Sequence, residues 1–213
     1  MERVVAHVAE SAPLAPLLEQ CRRVIAPKYV HGTEVGPQTN RLEAACGGIM
    51  ARALLGVTAD EDLSYGEYGK PYIPGAPEFN LSNDGGVVVL AMGERPLGAD
   101  LESIPPIYRD PEALICRKFF DEAEQAAVGD GSSHEQRTSW TCAWTRREAI
   151  LKAMGTGFAV DPRKHPEVLE GWYLETRVLE SVVLTCAMDV PFELELVEFD
   201  VLDALAALLE VRA

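Results

Sequence analysis

The segment EFNLSNDGGVVVLAM, residues 78–92, holds two short apolar runs separated by Asn83, Asp84, Gly85 and Gly86. Asn, Asp and Gly tolerate positive φ, so this tetrad reads as a hairpin turn between two strands. After the turn GER, residues 93–95, the stretch PLGADLES at 96–103 reads as a further strand. Upstream, SYGEYGKPYIPGAPEF at 64–79 is a turn-rich loop punctuated by Gly69, Pro71, Pro74, Gly75 and Pro77. Before it, RLEAACGGIMARALL at 41–55 reads as a helix stopped by Gly56, and residues 2–8 as a weakly alternating strand. The pair Gly47-Gly48 costs that helix roughly 1 kcal/mol per glycine against alanine. Either a neighbour packs very closely there or the helix is weak.

Downstream, a break at IPPIYRDP, 104–111, precedes a helix expected over about 111–128 that ends near Gly129. A polar loop, GDGSSHEQ at 129–136, leads to a helix expected over 139–154, capped by Ser139 and ended by Gly155 and Gly157. The last third, WYLETRVLE, SVVLTCAM and PFELELVEF, reads as strands before a short helix VLDALAALLEV. Helices and strands are segregated and hairpin-linked, which predicts an α+β fold. Two halves are expected, residues 1–100 and 101–213, meeting near 98–104.

With 19 basic and 34 acidic residues among 213, the formal charge is −15. No Lys/Arg-rich stripe is present to neutralise phosphates, which argues against nucleic acid or an anionic membrane surface as partner. The N-terminal stretch MERVVAHVAESAPLAPLLEQ has no apolar core of signal-peptide length, so a cytoplasmic protein is expected. Five scattered cysteines (21, 46, 116, 142 and 186) read as reduced, mostly buried thiols.

Against this acidity, PLGADLESI at 96–104 sets two more carboxylates into an apolar run. Asp100 and Glu102 are two apart and leave one face of a strand. In the helix SWTCAWTRREAILKAMGTGF, Trp140, Ala143, Trp144, Leu151 and Met154 form an apolar stripe. Glu148 and Lys152 share its edge, where they are either a solvated ion pair or part of a cleft. Arg147 lands inside the stripe and needs carboxylates or phosphates around it. Two strand carboxylates with a third from a helix make an oxygen-only site, which suits magnesium holding a phosphorylated substrate.

These residues also carry a resemblance. EYGKP (67–71), FNLSNDG (79–85), GADLE (98–102), FFDEAE (119–124) and WTRREAILKAMGTGF (144–158) follow one another as in the Sfp-type 4′-phosphopantetheinyl transferases. That family's pattern runs Gly-Lys-Pro, Phe-Asn-x-Ser-His-Ser, Gly-x-Asp-x-Glu, Phe-Phe-x-x-x-Glu and Trp-x-x-Lys-Glu-x-x-x-Lys-x-x-Gly-x-Gly. No single element is specific; the ordered set is. The resemblance implies two similar α/β halves related by a pseudo-twofold, with coenzyme A between them; a chain with its own cleft needs no partner subunit, so a monomer is expected. It implies transfer of phosphopantetheine from coenzyme A to a serine of an acyl or peptidyl carrier protein, releasing adenosine 3′,5′-bisphosphate. Asp100, Glu102 and Glu148 would then hold Mg2+, with Glu148 or a metal-bound water as base. Lys152 would take up phosphoryl or leaving-group charge. Lys70, Ser82, Asn83 and Arg147 would contact the coenzyme, and Arg41, Lys28 or Arg22 its 3′-phosphate.

Three departures stand out. Asn83 and Asp84 replace His-Ser, so Asn83 carries no charge and Asp84 adds repulsion, unless NDGG is simply the turn. Arg147 replaces the usual Lys. The position of the family's early basic residue falls near Glu43, with Arg41 two residues earlier. A carrier docking segment is expected at IYRDPEALICRKFF, through Arg109, Arg117 and Lys118; the alternative is an ordinary amphipathic helix burying Leu114, Ile115 and Phe119. Beside the active transferase stand two other readings: a relative that binds coenzyme A or a carrier without turnover, and a magnesium phosphohydrolase.

Overall fold

In the computed structural model, which describes residues 1–211, the turn after Asp84 is made by Gly85 and Gly86, at φ 61° and 87°. The chain begins with strand β1 (Glu2–Glu10), a 3-10 turn and the short helices α1 (Leu18–Arg22) and α2 (Pro27–Gly32). Helix α3 spans Gln38–Leu55 and stops at Gly56, left-handed at φ 74°. The two-residue strands β2 (Ser64–Tyr65) and β3 (Pro71–Tyr72) frame the Gly/Pro-rich loop. Then come β4 (Glu78–Asp84), β5 (Val87–Gly93) and β6 (Leu97–Ser103).

The single helix expected over 111–128 is instead two, α4 (Asp110–Phe119) and α5 (Glu122–Val128). Phe120 is extended between them, and Asp121 starts α5 by accepting the amide of Glu124. Helix α6 runs His134–Met154, five residues earlier than the sequence suggests, because Ser133 rather than Ser139 accepts the first-turn amide, that of Gln136. Ser139 bonds back to the carbonyl of Glu135 inside the helix. Strands β7 (Tyr173–Leu179), β8 (Val182–Met188) and β9 (Phe192–Glu198) and helix α7 (Val201–Glu210) complete the fold.

One sheet has the order β4-β5-β1-β9 and the other β6-β8-β7. Alternation along the strands makes two sheets with a shared core. In β5, Val88 and Leu90 point to α3, while Val89 and Ala91 point to the second sheet. In β6, Leu97, Ala99 and Leu101 join Val182, Leu184 and Cys186 of β8 against Val4, Ala6 and Leu194. The result is a helix–sheet–sheet–helix stack, with α6 on the outer face of the second sheet. The division expected at residue 100 falls inside β6. Strand β9, from the last third of the chain, lies parallel to β1 in the first sheet, and α7 packs on α3.

The Gly47-Gly48 question resolves as close packing. A Cβ on Gly48 would come within 2.9 Å of Ile25 and Tyr29, and one on Gly47 within 3.2 Å of Leu81. Four of the cysteines are buried and Cys142 is half-buried; all five are free thiols. Among the described residues no helix is long and apolar enough to cross a membrane.

Candidate functional site

On β6 the side chains alternate between the shared core and α6. Gly98, Asp100 and Glu102 face the helix. A Cβ at Gly98 would lie 2.0 Å from the carbonyl oxygen of Ala149, so only glycine lets α6 approach this closely. That contact sets α6 against β6 and brings Lys152 over Asp100. Lys152 Nζ donates to Asp100 Oδ1 at 2.6 Å and to Ser82 Oγ at 2.9 Å. Asp100 is buried, at 3% side-chain exposure, and its Oδ2 is shielded from solvent with no hydrogen-bond partner among the described residues.

Two further carboxyls bear on this pair. Burial pushes Glu102 up to about 8, reinforced by the charges of Asp100, Asp84 and Glu148 and opposed by Lys152. Burial pushes Glu148 up to about 7, with Asp100 adding to the rise and Lys152 opposing it. Asp100 itself is raised by burial against the pull of the Lys152 ammonium. One lysine thus faces an excess of buried negative charge. Among the described residues no three carboxylate, imidazole or thiolate groups stand in a ready-made metal-ligand arrangement. Asp100 Oδ2 has no partner among the described residues, and the carboxyls of Glu102 and Glu148 are raised nearby; oxygen donors of this kind are the type a hard divalent cation takes.

The other residues singled out from sequence fall around this centre. Ser82 is in direct contact with Asp100 and Lys152. Lys70 Nζ donates to the carbonyls of Leu97 at 2.8 Å and Ala153 at 3.2 Å, tying the start of β6 to the end of α6. Burial lowers its pKa, against the raising influence of Glu78. Asn83 is exposed, and its amide donates to Glu43 Oε2 at 2.9 Å, while Gly86 N–H donates to Glu43 Oε1 at 2.7 Å. Glu43 therefore grips the hairpin turn, which favours the turn reading of NDGG. Lys28 Nζ donates to Tyr65 at 3.1 Å and stacks 5.2 Å over the rings of Tyr29 and Tyr65. Arg41 sits in the first turn of α3, with its Nε shielded and without a hydrogen-bond partner among the described residues.

Arg147, expected at the coenzyme, is buried, donates to the carbonyl of Ala143 at 2.9 Å, and meets both carboxylate oxygens of Glu124, at 2.8 Å and 2.5 Å. Its guanidinium also lies 4.8 Å over the Phe120 ring. The carboxylate it needs inside the stripe is Glu124, and the pair fastens α5 to α6. Of the docking segment, Arg109, Arg117 and Lys118 are exposed, and so are Ile107 and Leu114, at 60% and 44%. Leu114 is thus not in the core; Ile115 and Phe119 are half-buried against Cys116, Phe120 and Trp140.

Two features of the site escape a reading of the sequence by motif. Glu124 is visible there only as the last residue of FFDEAE. The alternation Asn80-x-Ser82-x-Asp84, polar at every second position of an apolar strand, is the signal for a set of contacts to β6: Asn80, Ser82 and Asp84 accept the amides of Ala99, Leu101 and Ser103.

Residues 96–173, from β6 to the start of β7, match the model of the 4′-phosphopantetheinyl transferase superfamily. A 4′-phosphopantetheinyl transferase of Bacillus subtilis is 30% identical over 146 residues, covering 67% of this chain and 60% of the relative. The 4′-phosphopantetheinyl transferase Sfp of Bacillus subtilis strain 168 is 29% identical over 144 residues, with the same shares. The 4′-phosphopantetheinyl transferase AcpT of Escherichia coli strain K12 is 35% identical over 129 residues, 57% of this chain and 63% of the relative. The matches thus span about 60% of the length of these curated relatives.

Proposed function

Since the chain belongs to the 4′-phosphopantetheinyl transferase superfamily, we propose that it transfers 4′-phosphopantetheine from coenzyme A to a serine hydroxyl of an apo acyl or peptidyl carrier protein. Adenosine 3′,5′-bisphosphate is the second product. The observation that carries this reading is the buried contact of Lys152 with Asp100 and Ser82, beside the raised carboxyls of Glu102 and Glu148.

Asp100, Glu102 and Glu148 would hold a divalent cation such as Mg2+, which offsets phosphate charge and orients the pyrophosphate for in-line attack. The remaining chemistry belongs to the side chains. Glu148, or a water beside it, is the general base that takes the proton from the attacking serine Oγ. The bond from that oxygen to the β-phosphorus forms as the bond to the bridging oxygen breaks. Lys152, the cation nearest these acids, takes up the charge that develops on the phosphoryl oxygens or the leaving group. Ser82, beside it, and Lys70, at the end of α6, contact the coenzyme's phosphates in this reading. Lys28 and Arg41 supply positive charge toward its nucleotide end, where the neutral Asn83 cannot.

The test is mass spectrometry of an apo carrier incubated with coenzyme A, Mg2+ and the protein. A mass gain of one phosphopantetheine is expected. Unchanged carrier with intact coenzyme A would replace this reading with binding alone, which the Asn83–Glu43 contact favours because it takes the family's phosphate-facing position into the turn. Coenzyme A consumed without labelling would point to hydrolysis.

A further inference from the structure

Among the described residues, the edge of β6 away from β8 is not paired with any backbone. It faces β4, the edge strand of the other sheet. Three of the amides on that edge, those of Ala99, Leu101 and Ser103, are bonded by side chains instead: Asn80 Oδ1 at 2.8 Å, Ser82 Oγ at 3.2 Å and Asp84 Oδ2 at 2.8 Å. The offset is 19 residues each time, so the two strands run parallel, joined by a ladder with one side-chain rung per residue pair. Polar residues at every second position of β4 place all three rungs on one side. Buried amides on an unpaired edge demand partners, and these rungs supply them.

The rungs bracket the carboxylates. Asp100 lies between the tied amides of Ala99 and Leu101, and Glu102 between those of Leu101 and Ser103. We propose that Asn80 and Asp84, with Ser82 between them, are positioning residues that fix the direction in which Asp100 and Glu102 leave β6 toward α6. They act through the β6 backbone. The inference rests on the proposed function for what the two acids do. A ladder of side chains, unlike a continuous sheet, holds the strands at a distance set by side-chain length, so shortening a rung re-aims the acid beside it. The terminal rungs, Asn80 and Asp84, are open to test because Ser82 also touches Lys152 and Asp100 directly.

The experiment measures Mn2+ binding without coenzyme or carrier, together with amide hydrogen exchange at residues 99, 101 and 103. Asp84→Ala removes a rung and a charge, while Asp84→Asn keeps an oxygen acceptor and removes only the charge. Asn80→Ala removes a rung with no change in charge. We expect Asn80→Ala and Asp84→Ala to speed exchange at Ala99 and Ser103 respectively by about tenfold or more, and to weaken Mn2+ binding about five- to tenfold. Asp84→Asn should keep Ser103 protected and bind Mn2+ within about threefold of the unaltered chain. Equal weakening in Asp84→Asn and Asp84→Ala, with Asn80→Ala unchanged, would show that only charge matters and overturn the positioning role. So would fast exchange with Mn2+ binding unmoved. If the unaltered chain labels a carrier and binds Mn2+ while the variants match it, the ladder inference alone fails. If the unaltered chain neither binds Mn2+ nor labels a carrier, the proposed function fails and this inference with it.

Discussion

Lys152 Nζ lies 2.6 Å from Asp100 Oδ1 across the interface of α6 and β6, an ion pair whose carboxylate is buried. Removing the lysine leaves a carboxylate at 3% side-chain exposure without its cation. Breaking one side of such a pair costs about 3–5 kcal/mol. Lys152→Met should therefore lower stability by that order in urea melts at pH 8. Asp100 is raised by burial, so without its lysine it takes up a proton as pH falls, and the deficit against the unaltered chain should shrink by pH 5.5. Adding Asp100→Asn should recover most of the loss at pH 8. A deficit independent of pH, or undiminished in the double variant, would show that the pair does not govern this interface.

The strands and the carboxylate pair are legible in the sequence because they obey a local rule. Period-two alternation puts Asp100 and Glu102 on one face, and the Asn-Asp-Gly-Gly turn announces its hairpin. The start of α6 is ambiguous because both Ser133 and Ser139 are competent caps, and only the fold decides which hydroxyl reaches a free amide. Arg147 escapes for a deeper reason. Its position in an apolar stripe correctly demands a carboxylate, but Glu124 lies 23 residues away on another helix, and no pattern within α6 names it. The return of β9 and α7 to the first sheet is equally out of reach, since strand order is a property of the whole chain.

Glu102 and Glu148 set how the metal-free protein responds to pH. Their folded values, about 8 and about 7, lie above the ordinary 4.5, so between these limits the folded state holds more protons than the unfolded one. Stability without metal is therefore greatest at the acid end of this window and declines as pH rises from about 5 through 8. Glu102→Gln should flatten the decline and raise the melting temperature at pH 8 by a few degrees, on the order expected for ~1 kcal/mol. Mg2+ should do the same for the unaltered chain while doing little for the variant. Thermal melts across pH 5.5–8.5, with and without Mg2+, check this; a rising or flat profile for the metal-free chain would contradict it.

Glu148 is assigned to proton transfer from serine as well as to the cation. Glu148→Gln keeps the size and part of the polarity of the side chain but cannot take up the proton. Turnover should fall by about 10²-fold or more, within the usual range for a general base, while coenzyme A affinity changes by only a few fold. Steady-state labelling of the carrier and direct coenzyme A titration separate the two effects. A variant turning over at near-normal rate would remove Glu148 from the chemistry and leave Lys152 and the strand carboxylates to account for it.

Under the proposed function, docking of an acidic carrier would have to overcome charge, because the chain carries −15 and such a partner is repelled at long range. The segment from Ile107 to Lys118 offers local relief. Arg109, Arg117 and Lys118 are exposed there, and Ile107 and Leu114 present apolar surface at 60% and 44% exposure. Exposed apolar groups on a segment that also carries basic ones fit a partner whose acidic surface flanks an apolar patch. The Arg117→Glu, Lys118→Glu double variant reverses that charge without touching Cys116 or Phe120, which anchor the helix inside. The KM for an acidic apo carrier should rise about tenfold or more, with the rise largest at low salt, while the KM for coenzyme A stays within about twofold. An unchanged carrier KM at low salt would move the docking surface elsewhere on the protein. Leu114→Ala separates the apolar contribution, because a weakening that persists at high salt belongs to burial of that side chain rather than to charge.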